Sequence, residues 1–306
     1  MSKLDVIRAA LKTMEAYMPQ AQQRMLNVAG NELPIRGLPT EPIILQSQPF
    51  IPGPSRELRE LAQSYMDQAG MPYTPVQNYV QVDIPRAQNI AKEFSAMAHS
   101  PTDLTTRRSY EAMAKETRDQ YEQLLKTGIK FEPVPSNIKD PYAATPRLAA
   151  KDALENKHMY YFPTEQGFGS EAIRDNKLLE KSGVKIGGVE VPYNDLFRIV
   201  HDMFGHHKEG LGFRAAGEEN AWRSHARMYS PEALPAMTTE TRGQNSWVNF
   251  GPHAAQNKGA SAADTVYAPQ KTGILPDWVM QAGRMSPLGL GGAAIGLDAY
   301  QPQGQR

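Results

Sequence analysis

Proline decides where this chain cannot be helical. Its 24 prolines are bunched. Pro34, Pro39, Pro42, Pro49, Pro52 and Pro54 fall in one stretch, residues 71–85 form a second, and residues 131–146 a third. A proline inside a helix removes a backbone donor and clashes with the preceding turn, so regular helices are confined to the segments between these stretches. There the apolar spacing is helical. Leu4, Ile7, Leu11, Met14 and Met18 recur at three and four before Pro19, and Ser55 caps a helix that Gly70 stops. Residues 87–97 and 103–128 predict two more helices, the latter with Thr105, Tyr110, Met113, Thr117, Tyr121 and Leu124 on one side. The aromatic run His158-Met159-Tyr160-Tyr161-Phe162 reads as a strand, and residues 184–191, broken by Gly187-Gly188, as a tight hairpin.

These patterns predict a predominantly helical α+β protein in three parts. Residues 1–130 form a helical region with Pro-rich extended arms, residues 131–284 a His-rich metal-binding domain, and residues 285–306 a flexible Gly-rich tail.

Composition excludes several functions. There is no cysteine, hence no disulfide, thiolate zinc site, Cys-ligated iron–sulfur cluster or Cys nucleophile. Lys and Arg number 33 against 33 Asp and Glu, which removes the general attraction to phosphate that nucleic-acid binders rely on. No apolar run reaches the ~18 residues of a membrane span, and residues 1–6 carry no apolar core of a secretory signal. Gly187-Gly188 and the GLGG at 289–292 lack the Lys-Ser/Thr ending of a phosphate loop, and no G-x-S-x-G is present.

Histidine placement points to chemistry. Of seven histidines, His201, His206, His207 and His225 fall within 25 residues. Leu196, Ile199, Val200, Met203 and Phe204 make the buried stripe of a helix. In a straight α-helix His201 and His206 flank that stripe about 140° apart, so a shared ion requires the helix to bend or end near Gly205. His207 points back at the stripe and reads as structural. Downstream, Glu218, Trp222, His225 and Tyr229 share a stripe, on which a carboxylate is costly unless a metal, a protonated His225 or an arginine meets it. Glu240 lies in a stretch with little other use for a carboxylate, followed by Asn245 and Trp247. Two histidines and one carboxylate with open positions form the facial triad of non-haem Fe(II) sites, and also suit zinc. The H-E-x-x-H pattern of zinc proteases is absent, because these histidines are five apart. Asp202 is placed to orient His206, and Trp222 reads as core.

Two resemblances add to this. HDMFGH at 201–206, the FRAAGEENAW stretch and ALPAMTTETRGQ resemble the aromatic amino acid hydroxylases. Those enzymes carry His-Glu-x-x-Gly-His, a following Gln-Glu pair and a later helical Glu. The resemblance implies iron held by His201, His206 and Glu240, with Glu218 or Glu219 as the other carboxylate candidates. Glu218, Asn245 and Trp247 would line the pocket. Asp202 stands where those enzymes have Glu, and no pterin-binding segment is identified. Over a longer span, residues 84–252, the chain resembles a domain of large tailed-bacteriophage and prophage proteins. That implies a virion-associated or host-delivered protein, with other virion proteins or a second copy as partners through the Pro-rich arms. The leading expectation is a phage-encoded iron hydroxylase-like enzyme acting on a small molecule. The alternatives are a virion protein with a structural or zinc-binding His cluster, and a zinc hydrolase.

Overall fold

The structure is a computed structural model that describes residues 44–45, 54–135, 138, 141–142, 147–164, 175–260 and 264–281. The helix expected in residues 1–30, most of the first Pro-rich arm and the Gly-rich tail lie outside these residues. The described part belongs to one compact unit, Pro42–Arg306.

The helices start where short polar side chains can take the free backbone N–H groups of a first turn. Ser55 Oγ accepts from Leu58 N at the head of α1 (Arg56–Gln68), which ends before Gly70. Asp83 caps α2 (Ile84–Ala96), with Pro85 in its first turn, and Asp103 caps α3 (Leu104–Leu125). The buried side of α3 carries Tyr110, Met113, Thr117, Tyr121 and Leu124 as expected, but starts at Thr106; Thr105 faces out.

Strands are few and short. β1 (Ile44–Leu45) pairs antiparallel with β2 (Tyr79–Val80). β3 (Lys130–Pro133) runs parallel to β4 (His158–Tyr161), joined through α4 (Arg147–Glu155). β5 (Lys181–Ile186) and β6 (Val189–Pro192) form the expected hairpin. Gly187 and Gly188 both have positive φ, 59° and 84°, which a two-residue turn of this hand requires and side chains resist. The result is the predominantly helical α+β architecture that the sequence predicts.

Past the hairpin, the helices among the described residues are α5 (Tyr193–Val200), α6 (Ala215–His225), α7 (Leu234–Thr238), α8 (Gln244–Phe250) and α9 (Ala254–Asn257). Two of these helices run straight into π-helical turns, α5 into His201–His207 and α7 into Thr239–Gly243.

The expected boundary near residue 130 does not separate two cores. The main core joins Leu58, Tyr110 and Met113 to Leu196, Met203, Phe204 and Trp222 from the other side of that boundary. Burying side chains of this size stabilises by roughly 1.5–3 kcal/mol each, so both halves depend on the same interior. A second cluster gathers Ile90, Phe94, Trp247, Leu275 and Val279, where α8 lies on α2. Among the described residues no helix is long and apolar enough to cross a membrane.

Candidate metal centre

The bend that the histidine spacing demanded is a π turn. Lys208 N donates to Met203 O at 2.8 Å, five residues back rather than four. A turn closed over five residues brings residue i beside i+5, so the rings of His201 and His206 come to 5.1 Å between centroids and stand perpendicular. Phe197 stacks on His201 and Phe213 on His206, at 5.8 and 4.2 Å, which fixes both planes.

α6 brings the third group. His206 Nε2 lies 3.5 Å and His201 Nε2 3.9 Å from the same oxygen, Glu218 Oε2. These three residues are a set able to hold a metal ion, their ligand atoms all within 4.8 Å of one another. Ligands bonded at ~2.1 Å to one ion stand about 3–3.5 Å apart, so little adjustment is needed. Asn245 Nδ2 donates to that Glu218 oxygen at 2.8 Å and holds the carboxylate in place.

The hydrogen-bond pattern fits a cation. His206 Nδ1 faces the carbonyl oxygen of Gly212 at 3.2 Å, so Nδ1 carries the hydrogen and donates. The Nε2 atoms of both His201 and His206 are buried and have no hydrogen-bond partner. Two such nitrogens aimed at one carboxylate oxygen are costly when bare, and a proton or a metal ion relieves the cost. Burial opposes charge on His206, but Glu218 outweighs it and raises the His206 pKa. Burial would likewise raise Glu218, yet the two imidazoles hold its carboxyl well below the usual range. Burial lowers His201. A metal ion entering here displaces a proton, which makes binding weaker in acid.

Local sequence builds this frame. Gly217 sits against Gly212, whose carbonyl orients His206; a Cβ at 217 would run into that carbonyl. Beyond the turn, the buried Lys208 and Glu209 pair at 2.6 Å, and Arg59 of α1 binds Glu209 at 2.6 Å. Lys208 also donates to Ser224 Oγ, tying the end of the turn to α6.

The other sequence candidates are elsewhere. Glu240, the carboxylate expected from the hydroxylase resemblance, is not in the cluster. It accepts from Tyr110 at 2.5 Å and from Gln244 at 2.6 Å, and burial pushes its pKa up to about 7. Glu219 pairs bidentately with Arg242, which stacks 4.0 Å over Trp222. Trp247, expected to line the pocket, belongs to the second core cluster and donates to Ser95. Asn245 does reach the site. Asp202 stays outside the ligand set, raised to about 6 by burial against the pull of His206. His207 is buried with neither nitrogen hydrogen-bonded, and burial lowers its pKa to about 3.

No family model, curated protein or solved structure matches this chain.

Proposed function

We propose that this protein is a metal-dependent enzyme of the non-haem iron oxygenase type, with its ion held by His201, His206 and Glu218. The observation that carries the reading is the convergence of two unpartnered, buried Nε2 atoms on one carboxylate oxygen. Two imidazoles and one carboxylate leave further positions on the ion open, which separates a catalytic centre from a closed structural one. Iron bound there would supply oxygen activation. The protein's own part is to orient and to exclude water. Asn245 fixes the carboxylate, the Gly212 carbonyl fixes His206, and Phe197 and Phe213 cover the ring faces. A small recess beside Glu218, lined by Ala215, Glu219, Arg242, Asn245 and Ser246, has room for about one water molecule. The bacteriophage setting rests on the resemblance of residues 84–252 alone.

Elemental analysis of untagged protein purified without oxygen tests this, beside His201→Ala and Glu218→Ala. About one iron per chain, lost in both variants, is the expected result. Zinc in its place would move the assignment to a hydrolase, in which the ion lowers the pKa of bound water. Metal-free wild-type protein that takes up neither ion would overturn the proposal.

A further inference from the structure

A neutral imidazole carries one N–H, and the partner of one ring nitrogen fixes what the other can do. Gln120, on α3 and fully buried, donates from Nε2 to the carbonyl oxygen of Met228 at 3.1 Å. That commits its Oε1 to the ring of His225. An amide oxygen only accepts, so His225 Nε2, 2.8 Å away, holds the hydrogen. His225 has none left for Nδ1, which lies 3.1 Å from His201 Nδ1. This contact is a hydrogen bond only if His201 supplies the hydrogen. His201 is then left with a bare Nε2, the atom that faces Glu218 without a hydrogen-bond partner.

We infer that Gln120 and His225 are positioning residues for the metal centre, a buried relay that holds His201 in its Nδ1–H tautomer and presents Nε2 to the ion. The inference rests on the metal reading above, although the tautomer itself needs no ion. Both relay residues are 0% exposed, and Phe197, Phe204 and Tyr229 surround the His225 ring, so solvent has no route to reset the proton. The relay also joins the centre to α3, 105 residues away in sequence. A metal-bound histidine whose second nitrogen is held in this way typically loses 10–100-fold in metal affinity when the support is removed.

Long-range ¹H–¹⁵N NMR of metal-free protein labelled in histidine, recorded above pH 7, reads the tautomers directly. Competition of cobalt(II) against a coloured chelator reads affinity, and thermal melting reads the fold. Wild type should show hydrogen on His201 Nδ1 and on His225 Nε2. Gln120→Leu should lose that pattern and weaken cobalt 10–100-fold while still melting cooperatively. Gln120→Glu should restore both, since an enclosed, protonated carboxyl offers the same acceptor and donor. Should the leucine variant fail to fold, Gln120→Met keeps the volume and carries the same test. Hydrogen on His201 Nε2 in the wild type overturns the relay, as does a Gln120→Leu variant that changes stability but neither tautomer nor cobalt affinity. Correct tautomers in a wild type that binds no cobalt would instead defeat the metal assignment, and the positioning role with it.

Discussion

The two π turns use the same backbone device for opposite ends. In the turn at His201–His207 the side chains leave nitrogens open, and those nitrogens converge with Glu218 from a neighbouring helix. In the turn at Thr239–Gly243, closed by Gln244 N to Thr239 O, the one carboxylate is answered by protein: Tyr110 and Gln244 occupy the oxygens of Glu240. In one turn nitrogens converge on a carboxylate and call for a cation, and in the other the carboxylate is already satisfied. A buried polar residue on a π turn is therefore not enough to mark a site. What marks it is the convergence of unpartnered nitrogens on one carboxylate oxygen.

Three substitutions break or sharpen this contrast. The largest effect is expected of Gly217→Ala, because the new Cβ meets the Gly212 carbonyl, and backbone must move to admit it. Stability should fall by roughly 2–4 kcal/mol in denaturant titrations. Metal uptake should fall with it, since the moved carbonyl no longer orients His206. Unchanged stability would show that the frame of the first turn is softer than the packing implies.

Glu240→Gln probes the second turn. The folded carboxyl has a pKa of about 7 against 4.5 unfolded, so the native state binds the extra proton between those values. Wild-type stability therefore carries a term that is full below about pH 4.5 and is lost as pH rises to about 7. Glutamine, which cannot ionise, should remove roughly 3 kcal/mol of that pH dependence and leave metal content unchanged. Parallel stability curves for the two proteins would refute the assignment, and loss of metal would return Glu240 to the site.

The smallest effect is expected of His207→Leu. Its imidazole lies in the first turn but outside the convergence, with both nitrogens unanswered. Replacing it should change stability by less than about 1 kcal/mol, or raise it, with metal uptake intact. A loss of metal would show that the centre extends to a third histidine.

What the sequence made legible was local. Ser55, Asp103 and Gly187-Gly188 act through neighbours a few residues away, so helix starts and the hairpin could be read from spacing. His201 and His206 were found in the same way. The π turn was not, because nothing in the residue types distinguishes closure over five residues from closure over four; only the awkward angle between the histidines hinted at it. The carboxylate is more instructive. The physical argument, that an acid on a buried stripe needs a positive partner, left a metal, a protonated His225 and an arginine open for Glu218 and placed it only in the pocket lining. The resemblance of HDMFGH and TTETRGQ to the hydroxylases pointed to Glu240, which folds against Tyr110 instead. Gln120 left no signal at all, because its hydrogen bonds to His225 and Met228 each span more than 100 residues of sequence.

A π turn holds one residue more than the α turn it replaces, and that surplus has a consequence for how this protein tolerates insertion and deletion. Removing a single residue between His201 and His207 would let α5 continue as an ordinary helix with stronger backbone geometry. It would also bring the two histidines from five apart to four, a spacing that keeps both on one face of an ordinary α-helix. Such a shortened chain should gain helix and still hold both imidazoles on one face, so the π turn lets histidines five apart meet as histidines four apart do on an ordinary helix.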